Sequence, residues 1–289
     1  MTTTALYDIP GPRTRARHRL YGLIGAVAIC ALIAWIVSLL FATGQFTAAK
    51  WAPFTYKGIQ ELLLRGLGNT LRAFGFAAVL SLALGGVLAV GRLSVHRPVR
   101  WVSTLVVEFF RAMPVLVMIF FIYVALKVAP LPALVAGLTL YNGSVLAEVF
   151  RGGINSVEHG QGEAAYALGM LKTQVMTHVL VPQAVRAMLP AVISQLVVAL
   201  KDTSLGFLIT YEEFLHAGKL IASNLDYDLP FIPVVMIISP IYIGMCMLLS
   251  WLANWVAKRQ RRNPKVETAE VAPPEPGTLL PGMQQAPHG

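Results

Sequence analysis

Five charged side chains stand inside long apolar runs of this 289-residue sequence: Arg72, Glu108, Arg111, Glu148 and Arg186. A charge in a bilayer core costs at least about 2.5 to 3.5 kcal/mol on insertion scales, so each needs a partner or a task. Two stretches, "EFFR" from Glu108 and "EVFR" from Glu148, place an acid and an arginine three residues apart, on one helix face. The simpler chemistry is ion pairing, Glu108 with Arg111 and Glu148 with Arg151. The other is a path for charge, with Glu108 and Arg111 as a relay or Arg111 as a ligand for an anion. If its helix begins near Val102, Arg111 lies about 13 Å along the axis, close to the bilayer midplane. If the helix begins near Phe109, Arg111 is interfacial.

Uncharged polar groups raise the same choice. Tyr141, Asn142, Gly143 and Ser144 form a patch midway along one apolar run, and Ser194 with Gln195 does so in another. Such groups either hydrogen-bond helix to helix or line a midplane substrate site; the sequence leaves both open. Lys201, Asp202, Thr203 and Ser204 close the outer end of that second run, as a gate lining or as an interfacial anchor. No motif for bond-making chemistry accompanies them. GxxxxGK[ST], HExxH, GxSxG and paired Cys/His ligands are all missing from the sequence. The chain is expected to be no enzyme, with no cofactor or metal of its own.

The elements that position these groups are membrane helices. Hydrophobic residues make up 56% and charged residues 13%, where a soluble chain would have about a quarter charged. Runs of 18 or more apolar residues mark bilayer spans, and residues 20–42, 68–90, 102–126, 131–149, 179–200 and 231–257 qualify. The fold expected is an all-α integral membrane protein with six transmembrane helices. Pro114 should kink the third of these and free the Phe110 carbonyl. The first run is too long for a signal-peptide core and has no clear cleavage site after it. The two cysteines, Cys30 and Cys246, fall in spans and imply no disulfide framework.

The net charge of +9 belongs to the membrane faces and not to nucleic acid, as its placement shows. Of the 23 Lys and Arg, fourteen lie before the first span, after the second, between the fourth and fifth, and after the sixth. Six lie in the opposite loops and three inside spans. Lys/Arg excess marks the cytoplasmic side, which puts both termini and the 155–182 loop in the cytoplasm. Residues 1–19 read as a basic cytoplasmic lead and 263–289, rich in Pro and Gly, as a disordered cytoplasmic tail. A short interfacial helix is expected around 58–64. The outer loop 202–230 carries the acids Glu212, Glu213, Asp226 and Asp228, read as solvated or as contacts for an external partner.

The 155–182 loop is polar and helix-prone between two apolar runs. Its spacing is Glu163-Ala164-Ala165, three residues, Gly169, nine residues, then Val179-x-Val181-Pro182. Ala164 and Ala165 lack bulk, so a helix bearing them can approach a partner surface closely. Gly160 and Gly162 should free the backbone before that helix, placing Glu163 near its N-terminus, where the macrodipole favours an acid. Gly169 permits the positive φ of a turn.

This spacing resembles the EAA loop of ATP-binding-cassette (ABC) importer permeases, with Val in place of Ile and of Leu. "VEFFRAMPVLV", "AEVFRGGINSV", "VPQAVRAMLPAV" and "LKDTSL" resemble the polar amino-acid (histidine, glutamine, glutamate) subfamily. The resemblance covers about 62–257 and leaves residues 20–42 as an extra N-terminal helix on a five-helix core. The lead "LYDIPGPRTRARHR" resembles actinobacterial glutamate-uptake permeases. The resemblance implies an importer subunit that works by alternating access, driven by two partner ATPase subunits that bind ATP and Mg. It implies a second permease subunit, in a heterodimer or otherwise a homodimer, and an extracytoplasmic amino-acid-binding protein. Glu163, Ala164, Ala165, Gly169 and Pro182 would couple to the ATPase. Arg111, Tyr141, Asn142, Ser144, Ser194, Gln195, Lys201, Asp202 and Thr203 are the candidates for a substrate path. Glutamate is the expected cargo, since Arg72, Arg111, Arg186 and Lys201 outnumber Glu108, Glu148 and Asp202 in or beside spans. The rival is an ion- or proton-coupled transporter working without an ATPase.

Overall fold

The computed structural model describes residues 11–261, all helix and turn with no strand among them. The expected tail 263–289 and the first ten residues of the basic lead lie outside the described residues. In chain order the helices are α1 (Pro12–Ala42), α2 (Ala48–Trp51), α3 (Lys57–Arg92), α4 (Arg97–Ala112), α5 (Val115–Phe120) and α6 (Pro130–Asn155). They continue as α7 (His159–Ala167), α8 (Lys172–Gln174), α9 (Val181–Asp202), α10 (Phe214–Ala222) and α11 (Phe231–Arg261). Five stretches, within α1, α3, α6, α8 to α9 and α11, are long and apolar enough to cross a membrane.

The sixth expected span is not one straight helix. Arg97–Ala112 and Val115–Ala125 meet at 100°, and only the pair taken together makes a sixth crossing. Pro114 is the cause. It has no N–H to continue the ladder and disfavours helical ψ in the residue before it, and Met113 accordingly stands at φ −84°, ψ 131°. The expected kink is a full break. The expected short helix at 58–64 is also absent as a separate element: those residues open α3, whose start is set by extended Tyr56 (ψ 130°), and the short helical turns lie before it at 48–55.

A seam of small residues joins α3 to α6. Gly66, Thr70, Ala73, Ala77, Ser81 and Gly85 are buried along α3 at helical spacing; Gly66 and Thr70 meet α10, and Gly85 meets α6. A Cβ on Gly85 would stand 2.9 Å from Leu146 Cβ and 3.0 Å from the Gly143 carbonyl oxygen. Between helices in lipid there is little hydrophobic drive, so close backbone approach and dispersion do the work. Around the seam pack Met118, Ile119, Ile122, Leu134 and Leu138. α1 stands apart from this core, with no residue of its membrane-crossing window buried.

The end of the bundle at the start of α3 is locked by hydrogen bonds to the 203–230 segment. The Phe214 N–H donates to Thr70 Oγ1 at 3.0 Å, Asn69 Nδ2 to the Glu212 carbonyl at 2.8 Å, and Tyr211 Oη to the Asn69 carbonyl at 3.0 Å. Glu213, read from the sequence as a loop acid, is fully buried. Its carboxylate caps α10, accepting from the Leu215 and His216 N–H groups at 2.8 and 2.6 Å. Burial pushes this carboxyl up to about 7 despite those hydrogen bonds.

Candidate functional site

The hairpin between α6 and α9 is built from two short helical arms. α6 ends at Asn155, and extended Glu158 (ψ 129°) restarts the chain as α7. Gly160 and Gly162 are therefore inside α7, not before it, and Glu163 is in its second turn. Glu158, not Glu163, occupies the N-terminal cap where the helix dipole favours an acid. The reason is local: the chain restarts as helix soon after α6 stops, so the helix begins four residues ahead of the motif.

Gly169 ends α7 at φ +77°. Its N–H donates to the Tyr166 carbonyl at 2.9 Å and the Met170 N–H to the Ala165 carbonyl at 3.2 Å, the reach-back bonds of a left-handed helix terminus. Gln174 Oε1 then accepts from the Leu171 N–H at 2.8 Å and opens the second arm. Ala165 is buried toward the bundle, whereas Glu163 and Ala164 face out. Leu168 and Leu171 project at the tip, 83% and 71% exposed. Beneath the tip a cavity of ≈ 330 Å³ is lined by Leu93, Ile154, Glu158, Glu163, Lys172 and Met176 among others. Pro182 stands in the first turn of α9, preceded by a π-helical turn, Val175–Leu180. A widened turn is a physical answer to proline, whose ring crowds the carbonyl four residues back and which supplies no N–H to it.

The candidate path residues separate into three places. Asn142 and Gln195 meet: Gln195 Nε2 donates to Asn142 Oδ1 at 2.7 Å, and Asn142 Nδ2 donates to the Leu138 carbonyl at 2.9 Å. This ties α6 to α9 with both atoms of a fully buried amide satisfied. Ser144 is fully buried as well, its hydroxyl unpartnered among the described residues, and Tyr141 is half-buried beside it. Ser194 is exposed and donates to the Pro190 carbonyl at 3.0 Å. At the far end of α9, Thr203 is buried and donates to the Leu200 carbonyl at 2.6 Å, Asp202 is half-buried, and Lys201 is exposed. Lys201 lines an open groove of ≈ 550 Å³ with Tyr242, Cys246 and Ser250.

Arg111 is in neither place. Its Nη1 is 3.7 Å from Glu108 Oε2, and Glu108 Oε1 is 3.2 Å from Nη2 of Arg92, the last residue of α3. Arg111 therefore lies at the hairpin end of the bundle, where α3 and α6 both terminate. Arg151 Nε donates to Glu148 Oε2 at 3.1 Å, so both acid–arginine pairs read from the sequence form. Sequence reasoning missed Glu213 and the part Arg92 takes. For Glu213 a signal existed: an acid immediately before the apolar run "FLHAGKLIA" is a helix-start signature.

Comparison with known proteins gives a consistent answer. Residues 81–262 match the family described as binding-protein-dependent transport system inner membrane component. The chain is 41% identical over 236 residues to the glutamate transport system permease protein GluD of Corynebacterium glutamicum, covering 78% of this chain and 86% of that protein. It is 30% identical to the probable glutamine ABC transporter permease protein GlnM of Bacillus subtilis, covering 70% of this chain and 95% of the relative. Among solved structures, an amino acid ABC transporter with histidines superposes at TM-score 0.65 with 28% identity, covering 69% of this chain and 94% of that one. The MetNI methionine ABC transporter, at TM-score 0.62 and 18% identity over 71% of this chain and 99% of its own, shares the fold. The chain thus belongs to the binding-protein-dependent transport system inner membrane component family and is a multi-pass protein of the plasma membrane.

Proposed function

We propose that this chain is the permease subunit of an ATP-driven importer of a polar amino acid, and that the amino acid is glutamate. One observation carries the reading: a hairpin between two spans, turned by a left-handed glycine, that holds small and apolar side chains outward, uncovered by any of the described residues. A knob of that shape fits a groove on a partner, and the resemblance makes the partner an ATPase. Two such ATPase subunits, binding ATP and Mg, would supply the energy. A second permease subunit, different from this one or a second copy, would complete the pathway, and an external binding protein would deliver the amino acid. Closure of the ATPases would push the hairpin, and α6 and α9 would tilt with it to alternate access. The five long apolar helices with the bent pair α4–α5 taken as a sixth would make six crossings, and the distribution of Lys and Arg supports both termini in the cytoplasm.

The names of relatives support glutamate as the cargo, and so does the balance of charge. An anion on a low-dielectric path needs cationic or donor partners, and Lys201 is exposed in a groove. A relay through Glu108 and Arg111 finds less support, since both are committed to ion pairs at the hairpin end. The test is uptake of labelled glutamate by the assembled transporter in vesicles, with unlabelled glutamine, arginine and histidine as competitors. ATP-dependent glutamate uptake is expected; uptake without the ATPase, or preference for arginine or histidine, would overturn the reading.

A further inference from the structure

The five charges at the hairpin end form one chain of contacts through three helices. Arg111 and Glu108 belong to α4, Arg92 to α3, and Glu148 and Arg151 to α6. Arg92 is the link: Nη2 is 3.2 Å from Glu108 Oε1, and Nη1 is 2.8 Å from Glu148 Oε2. Its side chain is only 10% exposed, against 28% for Glu148 and 55% for Glu108.

Arg92 is not needed to neutralise either acid. Glu108 has Arg111 and Glu148 has Arg151, each on its own helix three residues away, and three arginines share two carboxylates. Without Arg92 each intrahelical pair would survive, and only the ties between helices would be lost. Burying a long, flexible side chain costs rotamer freedom, which a purely local screening role would not require. Two neighbours strengthen the point. Gly91 lets α4 come against α3, since a Cβ there would overlap Ser103 Oγ. Leu93, on the other side of Arg92, lines the cavity beneath the hairpin with Ile154 and Met176. Arg151 itself is in the last turns of α6, directly before the hairpin.

We propose that Arg92 is a positioning residue that ties the root of the hairpin to α3 and α4, so that a load on the hairpin moves three helices together and not α6 alone. The role rests on the hairpin being the coupling element. A planar guanidinium suits it, since a different nitrogen serves each carboxylate: Nη2 donates to Glu108, and Nη1 is ion-paired with Glu148.

Two measurements test this on the full chain. In vesicles holding the transporter with its ATPase and binding protein, Arg92→Gln should keep ATP hydrolysis within about twofold of wild type. Glutamate taken up per ATP should fall about tenfold or more, and Arg92→Lys should recover part of the loss. Unchanged uptake per ATP in Arg92→Gln would overturn the proposal. So would hydrolysis and uptake falling together in both variants, which marks a folding defect. The second measurement needs no transport. Spin labels at exposed Trp101 on α4 and Gln161 on α7 are placed with Cys30 and Cys246 changed to serine. The distance distribution should be narrow in wild type and Arg92→Lys and broad in Arg92→Gln; an unchanged distribution overturns the tie. A wild-type complex that imports no glutamate would count against the importer reading alone, because the label distances still decide the role of Arg92.

Discussion

Replacing Gly169 by valine isolates one physical quantity, because nothing lies within 4 Å of the Cβ it would add. There is no clash to relieve, only a backbone at φ +77° that a β-branched residue resists. The left-handed region costs a non-glycine residue about 1 to 2 kcal/mol. A shift of that size changes the ratio of native to alternative turn by a factor of about 5 to 30. An alternative turn would lose the bonds from the Gly169 and Met170 N–H groups and swing Leu168 and Leu171 away from their present direction. The bundle itself has no stake in the change, so the protein should reach the membrane in normal amount while uptake falls by up to that factor. Asparagine tolerates positive φ far better than valine, so Gly169→Asn should keep most of the activity. The assay is the initial rate of glutamate uptake, normalised to membrane content, for Gly, Asn and Val at this position. Equal rates for Asn and Val would refute the argument, because sterics alone would then not distinguish them.

Three further outcomes follow from the packing. Glu213, at about 7 when folded against an ordinary 4.5, binds more protons folded than unfolded between those values. The contribution of Glu213 to stability is therefore fully present below about pH 4.5 and is lost as pH rises through 7, about 3 kcal/mol in all. Detergent melting of wild type should show that slope and Glu213→Gln should flatten it. Gly85→Ala should destabilise by about 1 to 3 kcal/mol through overlap with Leu146 and the Gly143 carbonyl. Gly86→Ala, where a Cβ meets nothing, should not; melting of the two adjacent variants compares them directly. Gln195→Leu strands the buried Asn142 Oδ1 and should cost about 1 to 3 kcal/mol, and Asn142→Leu/Gln195→Leu should recover part of it. A double variant that melts like wild type yet has a raised KM for glutamate would restore these residues to the substrate path.

The sequence disclosed the long helices because an apolar run of twenty residues has few alternatives, and it disclosed the hairpin because Gly169 and the Glu163 triplet are fixed in spacing. Pro114 announced a kink but not its size, since residues 102–126 are apolar on both sides of it and apolarity carries no direction. Glu213 was misread because an acid in an outer loop is ordinarily solvated; only the fold brings Thr70 and Tyr242 over it. The depth of Arg111 hung on where its helix started; the helix starts at Arg97, earlier than either reading took it, and Arg111 is placed at the hairpin end by sharing Glu108 with Arg92. Arg92 counted in sequence only as one more basic residue past the end of a run. Asn142 and Gln195 are 53 positions apart, too far for any local pattern to pair them.

The small-residue seam between α3 and α6 has a mechanical consequence. Where Gly85 lies against Leu146 and the Gly143 carbonyl, and Gly143 against Leu84, the two helices are too close to slide freely along each other. Every displacement by a residue would drive a Cβ or a carbonyl of one into the other. Sheared or rotated, the pair responds as a single stiff strut. Compliance is then expected where the helical ladder is already interrupted: at Met113–Pro114, in the widened turns Phe121–Ala125 and Val175–Leu180, and at Pro190 and Pro240. Those interruptions are the natural joints for a conformational cycle, with the strut moving as one body between them.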